Sequence, residues 1–272
     1  MQPIFVEEDT VVEAWRLIYL YTDLRKIKAK RKHVAKRPPR DLKMLGVAEK
    51  VSDAIEAWYV KHGAPVKQEI RRLVREAAKR HLYIRYALSL PGFSELAVIA
   101  FLASPPDITL KTAGPILEPS SYIATHFMPV RMRDGRVYRS VLARYFFSTI
   151  EPLRRFMSRF VSRSRQLLRI YERSLSRYTS KGYNPGRAKR LATRDVVRVM
   201  IGCVWLVRMH ELLSKRLVKP SDVTLPYPEM LRDIEAGSGV EPYMIAEYPV
   251  ANEVADYTWA RLINAVKTGV YA

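Results

Sequence analysis

The side chains in this sequence whose type and spacing could do chemistry are arginines. Between residues 153 and 178 they fall at Arg155, Arg159, Arg163, Arg165, Arg169, Arg173 and Arg177. Wound as an α-helix at about 100° per residue, all seven share one half of the cylinder. Leu153, Phe156, Met157, Phe160, Val161, Leu167, Leu168, Tyr171, Leu175 and Tyr178 take the other half. One side can join a core while the other presents guanidinium groups, with Glu172 as its only acid. A solvated helix face usually interleaves Glu with Lys to gain i,i+4 pairs. Guanidiniums stacked four apart repel one another unless an anion lies along them, and their planar fork suits phosphate oxygens. At about 1.5 Å per residue the stripe runs about 33 Å, close to one turn of a duplex. The spacing predicts a polyanion along this face.

Other chemistry is sparse. The histidines are His33, His62, His81, His126 and His210, no two of them at helical ligand spacing. With a single cysteine, Cys203, the chain offers no zinc-ligand pair and no internal disulfide. Gly237-Ser238-Gly239 lacks the Lys-Ser/Thr of a phosphate loop, and no Gly-x-Ser-x-Gly occurs. Carboxylates are few in the basic middle, against two-metal nuclease chemistry. His81 falls on an apolar helix side and reads as a core histidine. Trp15, Trp58, Trp205 and Trp259 sit in apolar patterns and read as core too. Residues 206–213, Leu-Val-Arg-Met-His-Glu-Leu-Leu, resemble the first catalytic-arginine box of tyrosine recombinases, with Arg208 as the arginine. That family also needs a downstream His-x-x-Arg and a nucleophilic Tyr; no histidine follows His210, so no activity is carried over. The expectation is a non-enzyme without cofactor or metal.

The elements that would position the arginines are mostly helical. Glu7, Glu8 and Asp9 suit a helix N-terminus, followed by an apolar side of Val12, Trp15 and Tyr19. The run turns into a basic arm, Arg25, Lys26, Lys28, Lys30, Arg31, Lys32, Lys36, Arg37 and Arg40, with no acid between, closed by Pro38-Pro39. Leu45, Ala48, Val51, Ile55 and Trp58 form a helix ended by Gly63. Pro65 opens a second, to residue 88, with Lys67, Arg71, Arg75 and Lys79 on one side. Residues 104–129 hold five prolines and little charge, the pattern of a linker or extended arm. Residues 130–137 alternate about Asp134-Gly135, predicting a type I′ hairpin with Arg131 and Arg133 on one side. The long basic helix starts near Tyr138, and Pro152 divides or kinks it. A turn at residues 181–186 follows, with Lys181, Arg187, Lys189, Arg190 and Arg194 around the next helix start. Residues 196–213 are apolar on most sides and predict the central buried helix.

These elements fit a mostly α fold: a multi-helix domain with extended Pro-rich arms and one basic β-hairpin. Four stretches divide it: 1–103, helical with the basic arm; 104–137, linker and hairpin; 138–219, basic long helix and core helix; 220–272, an acidic C-terminal arm and helix. The formal charge is +20 and the pI about 10.1, which implies nucleic acid or an anionic membrane surface as partner. The charge is segregated. Residues 131–194 carry 18 basic side chains against three acidic, and residues 221–272 eight acidic against three basic. At 48% hydrophobic the chain has material for a packed core. Its longest apolar runs, 96–103 and 199–207, fall short of the roughly 20 residues of a membrane span. Residues 1–9 are short and acidic, unlike a signal peptide. Asn and Gln are scarce, as in proteins of hot environments or genomes of skewed base composition.

The arginine stripe, the basic arm, the amide-poor composition and the lack of enzyme motifs are together similar in general character to nucleoproteins and coat proteins of hyperthermophilic archaeal filamentous and enveloped viruses. That resemblance implies a non-enzymatic protein that wraps double-stranded DNA into a helical nucleoprotein. Its copies would assemble with one another or with a closely related second coat protein. The virion, assembled in the host cytoplasm, would be its place. RNA in place of DNA, as in an all-α basic subunit of an RNA-guided CRISPR-type effector, is the main alternative; a degenerate recombinase and a membrane-surface protein are others.

Overall fold

The computed structural model describes residues 8–44, 46–105, 109–110, 114–115, 119–128, 130–131, 137–138, 140–155, 157–161, 164–225 and 239–271. The mostly α expectation holds: among the described residues no strand exceeds two residues. Helix α1, Glu8–Lys36, packs along α3, Ala48–Arg80, with the short α2, Arg40–Met44, between them in sequence. Next come α4, Leu82–Ser89, and α5, Glu95–Ala103. Residues 97–103 of α5 are all buried, so it lies inside the core rather than on it. Between α4 and α5, Gly92 turns the chain at φ +81°, where a Cβ would stand 2.7 Å from Leu153 Cδ1. Only glycine satisfies both the left-handed backbone and that approach.

Residues 119–128 are expected outside the core. They lie within it instead, as α6, Pro119–Tyr122, and a π-helical turn, Ile123–Phe127. Tyr122 and Phe127 are fully buried, and Tyr122 Oη donates to the Ser104 carbonyl at 2.9 Å. Phe127 sits 4.9 Å from Phe101 and 5.0 Å from Phe146, ring centre to ring centre, in an edge-rich aromatic cluster. At the expected hairpin, Val130 pairs with Tyr138 and Arg131 with Val137. A two-residue turn at Asp134-Gly135 would pair 133 with 136, so the register differs by one. Residues 132–136, Arg133 among them, lie outside the described residues.

The long basic helix is several helices. Ser140 caps α7, Val141–Thr149, its Oγ accepting from Ala143 N at 3.0 Å. Pro152 sits in the first turn of α8, Glu151–Arg155, where its missing N–H costs nothing. α9 is Met157–Val161 and α10 is Arg165–Ser180. The interruption before α10 is Ser164, which has extended backbone and whose Oγ accepts from Leu167 N. A serine that caps competes with a helix passing through it. The seven-arginine stripe is therefore not one cylinder, and its continuous part, Arg165 to Arg177, is about 18 Å long. Arg163 lies outside the described residues.

α11, Pro185–Ser214, is the buried centre: every residue from Met200 to Leu213 is buried, including Cys203. Four sequence expectations about neighbouring helices need correction. α3 runs unbroken through Gly63 and Pro65, because packing on α1 outweighs one lost hydrogen bond. It breaks instead at His81, which is half-buried between α3 and α4 rather than on a helix face. The buried side of α1 is Ala14, Leu17, Ile18, Tyr21 and Leu24, leaving Val12 and Tyr19 exposed. Trp58 is exposed as well and stacks on His62 at 4.2 Å. The C-terminal residues close the core through α12, Val250–Glu253, and α13, Trp259–Thr268. Trp259 stacks on Trp205 of α11 at 6.0 Å.

Candidate nucleic-acid interface

The richest gathering of arginines is a cleft of about 850 Å³ that the sequence stripe did not anticipate. One wall is Arg144, Phe147, Ser148, Glu151 and Arg155, at positions i, i+3, i+4, i+7 and i+11 along α7 and α8. The facing wall is Arg187, Arg190, Leu191 and Arg194, stepping likewise along α11, and Arg25 of α1 joins them. The first turn of α11 is fixed by Asn184, whose Oδ1 accepts from Arg187 N at 2.9 Å, with Pro185 next. Arg187 and Arg190 thus stand near the positive end of a 30-residue helix. The Arg187 guanidinium also lies over the Tyr183 ring at 4.4 Å.

Charge in the cleft is scarcely balanced. Glu151 accepts from Arg155 at 3.1 Å. Arg25, Arg144, Arg187, Arg190 and Arg194 make no ion pair among the described residues. The Nε of Arg194 is buried without a hydrogen-bond partner there. Arg25, Arg155, Arg187, Arg190 and Arg194 are each expected from sequence as phosphate contacts, though on three separate surfaces. Arg144 is missed. Its signal lies in the same spacing, since 144, 148, 151 and 155 fall on one helix side, but Pro152 obscures the continuity.

A second surface is the outward side of α10. Arg165, Arg169 and Arg173 are exposed and free of ion pairs among the described residues. Arg177 is not free: its Nη2 donates to Asp195 Oδ2 at 2.7 Å and to Tyr178 Oη at 3.1 Å. Lys181 and Lys189 are exposed around the turn to α11. Arg159 on α9 is exposed and has a partner of its own.

The basic arm is helix, not arm, up to Lys36. Part of its charge is already engaged. Lys26 pairs with Asp23 at 2.6 Å, Arg31 with Glu56 at 3.2 Å, and Lys28 lies over the Tyr59 ring at 4.7 Å. Lys30, Lys32, Lys36, Arg37 and Arg40 are exposed. On α3, Arg75 reaches Glu95 at 2.8 Å, while Arg71 and Lys79 point outward. Arg131 is described in its backbone alone.

Arg208 is out of reach of any ligand. It is 2% exposed, stands 3.4 Å from Glu211 and lies over the Tyr83 ring at 4.7 Å. Glu211 also accepts from Lys215 Nζ at 2.7 Å and from Tyr83 N at 3.3 Å. Burial raises the Glu211 pKa, but the Arg208 and Lys215 charges outweigh it and hold the carboxyl below its ordinary value. Arg208 and Glu211 are thus committed to each other and to their neighbours inside the fold. Among the described residues no three His, Cys, Asp or Glu side chains are grouped to hold a metal, and no helix is long and apolar enough to cross a membrane. Set against family models, curated proteins and solved structures, the chain matches none.

Proposed function

We propose that this chain is a non-enzymatic structural protein that binds double-stranded DNA by its phosphate backbone, without reading sequence, and coats it by assembling with further copies. One observation carries the reading. α10 and the turn that follows it, from Arg165 to Lys181, hold five basic side chains against one acidic, and Arg165, Arg169 and Arg173 face outward with no internal partner among the described residues. A row of unpaired guanidiniums on a rigid helix matches phosphates at regular spacing. Short base-reading side chains such as Asn and Gln are scarce throughout.

Titration of a mixed-sequence duplex at several salt concentrations tests this. If about 8 to 10 phosphates are neutralised, log K falls with log salt at a slope of roughly −7 to −9. Replacing Arg165, Arg169 and Arg173 by Gln leaves folding intact, since all three are exposed, and makes the slope shallower by about 3. A wild-type slope near −2, a strong preference for one operator, or an unchanged slope in the triple variant refutes the proposal. Tighter binding to an RNA duplex than to DNA moves the chain to the ribonucleoprotein class.

A further inference from the structure

The cleft between α7, α8 and α11 has charge that backbone binding does not explain. Six arginines and one glutamate line about 850 Å³, leaving five positive charges in excess. Guanidinium groups do not shed their proton in proteins, so their repulsion is relieved only by an anion. A whole duplex, whose major groove alone is about 12 Å wide, does not fit inside a cleft of this volume. A strand passing the mouth carries one charge per phosphate, about 3.4 Å of axis apart, whereas a triphosphate holds about four charges on a shorter run. Arginines on facing walls call for several negative charges held close together.

We infer that the cleft is a discrete binding site for a compact oligophosphate, a linear run of anhydride-linked phosphates such as those of a nucleoside triphosphate or a short inorganic polyphosphate. The geometry suits it. Arginines converge on the chain from two facing helix walls and from α1, and Arg190 and Arg194 stand one turn apart on α11. Phe147 and Leu191 add an apolar surface on which a base could lie. The site is separate from the outward row on α10, since none of Arg165, Arg169 and Arg173 lines it. The inference therefore stands or falls independently of the duplex reading.

Calorimetric titration of the full-length chain at low salt decides it, with orthophosphate, sodium tripolyphosphate and a nucleoside triphosphate as probes. Tripolyphosphate is expected to bind once per chain, at least tenfold more tightly than orthophosphate, and to raise the melting temperature. Arg190→Gln with Arg194→Gln should weaken it tenfold or more while changing duplex affinity less than threefold. Arg165→Gln with Arg169→Gln should do the reverse. A nucleoside triphosphate that binds more tightly than tripolyphosphate assigns the apolar wall to a base; equal or weaker binding assigns the site to the phosphate chain alone, and both support a discrete site. If the double cleft variant does not fold, Arg144→Gln alone must show the same loss. Binding at many equivalent sites, or an unchanged affinity in the cleft variants, overturns the inference. So does loss of duplex and tripolyphosphate binding together in the cleft variants, which would make the cleft part of the nucleic-acid groove.

Discussion

His210 shows what one residue can do for this fold. Its Nε2 lies 2.9 Å from the Thr258 carbonyl and its Nδ1 2.8 Å from the Tyr271 hydroxyl, while the ring stacks on Tyr257 at 4.9 Å. A carbonyl only accepts, so Nε2 carries the proton and Nδ1 accepts from Tyr271. The neutral ring is fully satisfied. Burial, the largest influence, lowers its pKa to about 4, outweighing the Thr258 hydrogen bond that favours the charged form. In the unfolded chain it titrates near 6.5. The unfolded state thus takes up a proton that the folded state refuses. The stabilisation is complete above pH 6.5 and is lost as pH falls towards 4, by up to about 3 kcal/mol. His81 and His126 are lowered to about 4 by burial as well, and Arg208 adds to the effect at His81. Denaturant unfolding at pH 7 and pH 4.5 should show wild type losing more than His210→Gln, by about that amount. Equal losses would clear His210 of the role. The sequence displayed this histidine only inside an Arg-Met-His-Glu run; its partner Tyr271 is 61 residues away, beyond the reach of local pattern.

At the scale of elements, pattern reading worked where one rule decided and failed where two competed. Residues 196–213 are apolar on nearly all sides and are the buried centre, as the composition demands. Asn184-Pro185 starts a helix because cap and fixed φ agree. The basic stripe was legible as residues but not as one surface, because Ser164 caps where the periodicity would continue. α1 carries apolar residues on two sides, so the sequence could not say that Leu17, Ile18 and Tyr21 win over Val12 and Tyr19. Gly63 and Pro65 read as stop and start, yet α3 passes through both. Tertiary packing overrode local propensity there. Pro65 in the helix interior leaves the Lys61 carbonyl without its donor. It is exposed, so no packing should be lost on its removal. Pro65→Ala is therefore expected to stabilise the fold by about 1–3 kcal/mol, less than the full helix-interior cost because the unfolded chain also gains freedom. A lower melting temperature in this variant would mean that α3 needs the proline to lie along α1.

Across the whole molecule, charge is divided unevenly along the chain. A total of +20 on 272 residues opposes any compact state and any self-assembly. The acidic C-terminal stretch partly offsets it within the chain, as in the pair between Arg85 and Glu253. That stretch is also structural. Glu241 accepts from Trp259 N at 2.9 Å, and Trp259, Leu262 and Ile263 are core residues. Deleting it would unfold the protein and say nothing about assembly, so charge must be removed with the core left in place. Glu247 and Asp256 are exposed, and Glu229, Asp233 and Glu235 lie outside the described residues. Changing these five to Gln or Asn leaves every named core contact intact. If copies coat DNA by setting this acidic end against a neighbour's basic face, the fivefold variant should fold normally. It should bind a short duplex at least as tightly, because five repelling charges are gone. On long DNA it should lose cooperativity, with isolated complexes in place of continuous filaments by sedimentation and electron microscopy. The two effects run in opposite directions, which separates an assembly role from a general loss of affinity. Regular filaments from the variant would show that contacts other than the acidic end join the copies, and wild-type protein that saturates long DNA as independent monomers would remove the coat proposal altogether.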